Sequence, residues 1–97
     1  MTSERHATIL IVEDEESIAA VLSRRLQKAG FGAEWAPTGE AGLEKARTTA
    51  YDLILLDIHL PGISGFDVLE ALRQEGRRTP VFIVSADRFV DDRVKGL

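Results

Sequence analysis

The sequence predicts a single α/β domain built on a doubly wound parallel sheet. Segments typical of strands and of helices alternate strictly along the 97 residues, and the main strand segments are continuous apolar runs. Continuous runs are typical of strands buried on both faces, and strict alternation favours helices on both sides of a parallel sheet. Right-handed crossovers in such a fold give the strand order 2-1-3-4.

The first half of the chain begins with a strand, a helix and a second strand. Thr8–Val12 is short, apolar and rich in β-branched residues, which favours a buried strand. The helix that follows is expected to end at Gly30. Its predicted inward face consists of Ile18, Val21, Leu22, Leu26 and Ala29. Phe31–Ala36 predicts a weaker strand, because glycine and glutamate interrupt its apolar pattern.

The remaining segments continue the alternation. Thr38 predicts the N-cap of a second helix, in which Gly42 costs up to about 1 kcal/mol against alanine. A strand, a helix, a further strand and the start of a fourth helix are then predicted at Asp52–Asp57, Phe66–Glu75, Pro80–Ser85 and Ala86–Leu97, respectively. Proline is tolerated at the first residue of a strand, so it does not argue against the last of these strands.

Composition and charge disfavour several classes of function. The net charge is −4, whereas a dedicated nucleic-acid surface is normally basic. The chain has no cysteine, which excludes a disulfide framework and a thiolate metal site. The first residues are too few and too polar for a signal peptide, and the apolar runs are far shorter than a membrane span. We therefore expect a soluble cytoplasmic domain.

Polar residues stand at the carboxyl ends of three predicted strands. Glu13 and Asp14 follow the first strand, Asp57 ends the third, and Ser85 ends the fourth. Because these ends meet at one edge of a parallel sheet, we expect the four side chains to converge. Two carboxylates about 4 Å apart repel by about 4 kcal/mol at an effective dielectric constant of about 20. Mg2+ relieves such repulsion and takes carboxylate and phosphate oxygens as ligands.

This arrangement predicts phosphoryl chemistry centred on Asp57. An aspartate beside Mg2+ is suited to attack phosphorus and to form an aspartyl phosphate. The metal offsets the charge on the transferring phosphoryl oxygens. Ser85 is placed to donate a hydrogen bond to one of these oxygens, and its movement would couple the site to the helix that follows.

Three motifs carry a resemblance to a known family. They are ILIVEDE (Ile9–Glu15), DLILLDIHLPGISGFDVL (Asp52–Leu69) and TPVFIVSA (Thr79–Ala86). In these motifs the chain resembles the receiver domain of bacterial two-component response regulators, and the resemblance spans residues 1–97. It implies a flavodoxin-like fold and a signalling domain that is not an enzyme beyond its own phosphorylation and autodephosphorylation. It also implies a sensor histidine kinase as phosphodonor and a transcriptional effector domain through which DNA is bound.

The resemblance implies a role for each site residue. Asp57 would be the phosphoacceptor and Ser85 the switch hydroxyl. The implied Mg2+ ligands are Glu13 through water, Asp14 directly, Asp57, and the backbone carbonyl of His59. Asp87 and the side chain of His59 stand at positions that tune the lifetime of the phosphoryl group in the family.

The chain departs from the family at its C-terminal end. Family members continue with a fifth strand, which carries a switch aromatic and ends on a phosphate-binding lysine, and with a fifth helix. We expect that lysine beyond Leu97, and Lys95 on the predicted fourth helix is not it. Without the fifth strand, the strand at Pro80–Ser85 is expected to present an open apolar edge. That edge and the face of the fourth helix are the candidate surfaces for a homodimer.

Two other functions remain open from the residues alone. A Mg2+-dependent phosphohydrolase also uses a strand-end aspartate, but it would need a second acid two residues later, where this chain has His59. A pseudo-receiver that never turns over phosphoryl groups would show an altered acidic pair or acceptor, and neither alteration is present. Trp35 is interpreted as partly buried packing rather than as a binding platform.

Overall fold

The computed structural model describes residues 6–84 and 89–91, which contain one five-stranded sheet in the order β2-β1-β3-β4-β5. The elements are β1 (Thr8–Val12), α1 (Glu16–Lys28), β2 (Gly32–Ala36), α2 (Gly39–Thr48), β3 (Leu53–Asp57), α3 (Gly65–Gln74), β4 (Val81–Val84) and β5 (Phe89–Asp91). The first four strands are parallel, so the predicted order 2-1-3-4 is confirmed. No helix within this part of the chain is long and apolar enough to cross a bilayer.

The main core lies between the sheet and helices α2 and α3. Leu10 and Val12 of β1 pack there with Ile54 and Leu56 of β3 and with residues of both helices. Because side chains alternate along a strand, Ile11 faces the opposite side of the sheet, where it meets α1. The continuous apolar runs of β1 and β3 therefore supply side chains to both faces of the sheet, as the sequence predicts.

The inward face of α1 differs from the prediction. Ile18 and Val21, which were expected to point inward, are 43% and 46% exposed, whereas Ala19 is buried. The helix packs over β1 and β2, so its flank toward β3 is left without a covering element among the described residues. Ile18 there borders an apolar groove with Leu22 and Leu55. Periodicity identified the apolar stripe, but the position of the helix on the sheet selects which part of it is buried.

Local signals at the helix ends are confirmed. At the end of α1 the amide of Phe31 donates to the carbonyl of Leu26, and Gly30 adopts a positive φ of 97°. These are features of a Schellman ending. The side chain of Thr38 accepts a hydrogen bond from the amide of Ala41 at 3.0 Å and caps α2. These ends fix where each helix leaves the sheet.

The structure contradicts the predicted fourth helix at Phe89–Asp91. These residues form β5, which pairs antiparallel with Phe82–Val84 of β4. An edge strand offers unpaired backbone groups, and Phe and Val favour extended structure, so local pairing prevails over the helical spacing of Val90. The expectation of an open β4 edge is therefore wrong over Phe82–Val84. The rest of the predicted helix, including Lys95, lies outside the described residues.

Candidate metal and phosphoryl site

The register of the sheet places the ends of β1 and β3 side by side. Val12 pairs with Leu56, and Asp57 pairs with Val84 of β4. Glu13 follows Val12 directly, and its amide donates to the carbonyl of Ala36 at 3.1 Å, which extends the ladder by one bond beyond β1. Asp57 is thus at the carboxyl edge between the strand that leads to Glu13 and β4, where ligands bind in open α/β sheets.

Three carboxylates meet at this edge. Glu13, Asp14 and Asp57 each offer an oxygen atom, and these oxygens lie within 4.8 Å of one another. These are three of the four side chains that the sequence predicted to converge, and the fourth, Ser85, lies outside the described residues. Hard divalent cations such as Mg2+ prefer oxygen ligands of this kind. The donor set therefore fits the metal that the sequence analysis expected.

Burial changes the electrostatics of Glu13. The residue is 8% exposed. Burial raises the pKa of Glu13, and the neighbouring charges of Asp57 and Asp14 raise it further, while a hydrogen bond from the amide of Glu15 opposes the shift. Removal of a carboxylate from water disfavours its charged form, and so does a like charge nearby. A cation held between these carboxylates would reverse both effects.

Asp57 is held by the loop that follows it. Its Oδ1 atom accepts a hydrogen bond from the amide of His59 at 3.2 Å. A depression of about 350 Å³ opens in front of the cluster. Its lining consists of Glu13, Asp14, Glu15, Ile18, Asp57, His59 and Val84. The carboxylates therefore face an accessible space that is large enough for a metal ion with its waters and a phosphoryl group.

The beginning of α3 fixes the far end of the same loop. Ser64 caps the helix: its side chain accepts from the amide of Asp67 at 3.2 Å, and the Asp67 carboxylate accepts from the amide of Ser64 at 3.1 Å. This reciprocal pair is a capping box. The loop after Asp57 is therefore tied down at both ends, by the Asp57 carboxylate and by the capping box.

Trp35 is the site residue that sequence reasoning missed. Its indole Nε1 donates to the backbone carbonyl of Glu13 at 2.6 Å. The residue is 36% exposed, which agrees with partly buried packing, but the packing interpretation did not include this hydrogen bond. The available signal was its position: Trp35 pairs with Ile11, two residues before the acid pair. Sequence alone gives no direction for the ring.

Two predicted residues fall beyond the described part of the chain. Ser85 directly follows Val84, the residue paired with Asp57, and Asp87 comes two residues later. Both lie outside the described residues. The exposed side chain of His59 borders the depression, and its predicted effect on the phosphoryl group stays a prediction.

Comparison with known proteins relates this chain to one family. The family model described as "Response regulator receiver domain" matches residues 9–97. The transcriptional activator protein IrlR of Burkholderia pseudomallei (strain 1026b) is 51% identical over 89 residues, which are 92% of this chain and 38% of that protein. The transcriptional regulatory protein CusR of Escherichia coli (strain K12) is 40% identical over 89 residues, or 92% of this chain and 39% of CusR.

Solved structures give the same result for the fold. The receiver domain of the Francisella response regulator 1452 aligns with a TM-score of 0.83 at 27% identity, covering 94% of this chain and 75% of that one. The response regulator protein TrrA of Thermotoga maritima, solved in complex with Mg(2+)-BeF, aligns with a TM-score of 0.79 at 36% identity. That alignment covers 82% of this chain and 70% of TrrA.

Proposed function

Because this chain belongs to the response regulator receiver domains, we propose that Asp57 accepts a phosphoryl group with the help of Mg2+ and that the domain relays this modification as a signal. The observation that carries the proposal is the meeting of Glu13, Asp14 and Asp57 within 4.8 Å at the carboxyl edge of the sheet. One of these acids, Asp57, opens onto the depression and is held in place by the amide of His59.

The proposed transfer uses a carboxylate oxygen of Asp57 as nucleophile. This oxygen forms a new bond to phosphorus, and the bond between phosphorus and the donor breaks, with the electron pair leaving on the donor imidazole or on acetate. Bound Mg2+ would supply charge neutralisation for the transferring oxygens. The hydrogen bond that the amide of His59 donates to Oδ1 holds the direction of the Asp57 carboxylate.

The metal ligands in this proposal are Glu13 through water, Asp14 and Asp57 directly, and the backbone carbonyl of His59. Ser85 donates a hydrogen bond to the phosphoryl oxygens and acts as the switch. Asp87 and the side chain of His59 then influence how long the acyl phosphate persists. The support for this assignment is the match of these positions to the motifs of the family, together with the clustering of the three carboxylates.

The proposed phosphodonor is a sensor histidine kinase, and the proposed output is transcriptional. The chain spans about two fifths of the length of the curated relatives it matches, and those relatives are transcriptional regulators by name. We place DNA binding in an effector domain rather than in these residues, in agreement with the net charge of −4. A cytoplasmic location and a signalling rather than enzymatic role belong to the same proposal.

The test is adduct formation on a named carboxylate. The protein is incubated with Mg2+ and either acetyl phosphate or beryllium fluoride, and the adduct is followed by intact mass and by fluorine NMR, respectively. Asp57→Asn removes the nucleophile. Asp52→Asn is the matched control. Asp52 directly precedes β3, at the opposite end of that strand from Asp57, and accepts a hydrogen bond from the amide of Thr8.

The expected result is an adduct in the wild type and in Asp52→Asn but not in Asp57→Asn, and its loss when Mg2+ is chelated. Metal binding without any adduct would instead favour a pseudo-receiver. Continuous release of phosphate from small phosphate esters would favour the phosphohydrolase reading. Either of these two results would overturn the proposal.

A further inference from the structure

The backbone carbonyl of Glu13 has an unusual partner. The parallel ladder between β1 and β2 continues to the hydrogen bond from the Glu13 amide to the carbonyl of Ala36. The next bond of this ladder would need a backbone amide beyond Ala36. In this register that donor would be the amide of Thr38, which lies beyond the end of β2 and is the N-cap of α2. The ladder therefore ends here, and a side chain supplies the missing donor.

That donor is the indole of Trp35, whose Nε1 lies 2.6 Å from the Glu13 carbonyl oxygen. Trp35 pairs with Ile11 in the register, so its ring lies on the same face of the sheet as Ile11 and reaches along the strand to Glu13. Trp35 as a whole is 36% exposed, and the hydrogen bond from its N–H to Glu13 is partly buried.

The bonded carbonyl belongs to the peptide group that joins Glu13 to Asp14. A peptide group is planar, so holding its oxygen also fixes the direction in which the chain continues to Asp14. Glu13 is then held at three points: its amide by Ala36, its carbonyl by Trp35, and its carboxylate by the amide of Glu15 at 3.1 Å. These bonds oppose the mutual repulsion of the three carboxylates, which would otherwise turn the acid pair away from Asp57.

We infer that Trp35 is a positioning residue of the metal site: its indole N–H orients the Glu13–Asp14 peptide and so holds both carboxylates toward Asp57. The inference rests on the proposed function, because it assigns Trp35 a role toward the metal proposed there. Partners that orient metal ligands contribute substantially to metal affinity in proteins. Here the partner acts through the main chain, and we expect its loss to weaken metal binding about threefold to tenfold.

The experiment measures the affinity of the site for metal after the indole N–H of Trp35 has been removed. Replacement of Trp35 by benzothienylalanine keeps a bicyclic ring and substitutes sulfur for the N–H donor, and Trp35→Phe is the genetically encoded counterpart. Binding of Mn2+, which accepts the same oxygen ligands as Mg2+, is measured by electron paramagnetic resonance and calorimetry. Unfolding in urea is measured on the same samples to separate affinity from stability.

Tyr51→Phe is the matched control. The Tyr51 hydroxyl donates to the carboxylate of Glu34, on the same strand as Trp35, at the same distance of 2.6 Å. Tyr51→Phe therefore removes a side-chain hydrogen bond of the same length. Tyr51 lies shortly before β3, at the opposite end of that strand from Asp57. We expect Tyr51→Phe to leave the Mn2+ affinity unchanged while both Trp35 variants weaken it.

A second readout follows the indole itself. The chain has one tryptophan, so its indole N–H gives a single resonance. This resonance is expected to shift during a Mg2+ titration with the same midpoint as metal binding, and not to shift in Asp57→Asn at the same Mg2+ concentrations.

The outcomes distinguish the two proposals. If the wild type binds Mn2+ and the Trp35 variants bind it equally well, the inference is overturned and the proposed function stands. If Tyr51→Phe weakens binding as much as the Trp35 variants do, the effect is general destabilisation and the inference is likewise overturned. If the wild type binds no divalent cation, the proposed function fails first, and the role of Trp35 fails with it.

Discussion

The backbone carbonyl of Asp57 lies directly against Gly65, so that a methyl group at Gly65 would overlap the carbonyl oxygen far inside van der Waals contact. The φ angle of Gly65 is not positive, so space rather than backbone conformation demands glycine at this position. The first residue of α3 is therefore packed against the peptide that follows the acceptor side chain. Changes at Gly65 should reach the site through this contact.

Gly65→Ala is expected to destabilise the protein by about 1–3 kcal/mol, because backbone must move to accommodate the added methyl group. The same movement should weaken Mg2+ binding by displacing Asp57. Urea unfolding and calorimetric metal titration measure the two effects. Gly32→Ala is the control, since a methyl group there meets the side chain of Thr8 at an ordinary 3.4 Å. Equal stability of Gly65→Ala and Gly32→Ala would contradict the steric argument.

Glu13→Gln is expected to stabilise the metal-free protein at neutral pH. The raised pKa of Glu13 means that its ionised form is less favourable in the folded state than in the unfolded one, and glutamine removes that charge. In contrast, Mg2+ at a concentration of 100 times its dissociation constant should stabilise the wild type by about 2.7 kcal/mol. The same concentration should stabilise Glu13→Gln by much less.

Thermal unfolding with and without Mg2+ measures both parts of this prediction. Glu44→Gln on the exposed surface of α2 is the control for the loss of one negative charge. A stabilisation by Mg2+ that is the same in Glu13→Gln as in the wild type would show that the cation binds elsewhere.

Tyr51 is expected to make stability depend on pH in the alkaline range. Burial raises the pKa of Tyr51 to about 12, and the neighbouring Glu34 carboxylate contributes to the increase. The unfolded chain then releases this proton near pH 10, before the folded protein does, so stability falls as the pH rises from about 10 to about 12. Tyr51→Phe should lack this part of the decrease.

The titration of Tyr51 can be observed directly because the chain contains one tyrosine. The ultraviolet absorbance of its phenolate should appear with a midpoint near pH 12 in the folded protein, and near pH 10 in concentrated urea. A midpoint near pH 10 in the folded protein would rule out the effect of burial and of Glu34.

Ser64→Ala is expected to destabilise the protein by about 1 kcal/mol, because the amide of Asp67 loses its capping acceptor. The reciprocal hydrogen bond predicts that Ser64→Ala and Asp67→Ala are not additive, and a double-mutant cycle in urea measures this coupling. Ser17→Ala, at an exposed position in the first turn of α1, should change stability by less than about 0.5 kcal/mol. Additive losses at Ser64 and Asp67 would speak against a functioning capping box.

Glycine at position 42 illustrates the limit of a sequence argument. The sequence identifies Gly42 as unfavourable in a helix, which is true of an isolated helix. In the fold, a methyl group there would come within 2.7 Å of a side-chain carbon of Val12, so glycine lets α2 lie close against β1. Propensity is local, whereas this distance depends on how two elements pack.

The sequence by itself determined the strand order, the helix ends and the convergence of Glu13, Asp14 and Asp57. These follow from signals within one segment, such as an apolar run, a capping residue or an acid at a strand end, together with the handedness of the crossovers. The tertiary structure alone decided the exposure of Ile18, the antiparallel pairing of Phe89–Asp91, and the contacts that support the acids.

Trp35 and Gly65 belong to this second group. Each acts on a backbone carbonyl of a site residue, Trp35 by a hydrogen bond to Glu13 and Gly65 by leaving room for that of Asp57. Such contacts depend on the direction of a ring or on a fraction of an ångström between two elements. Residue types and spacing do not encode these quantities locally, because they arise only when strands and helices are packed together.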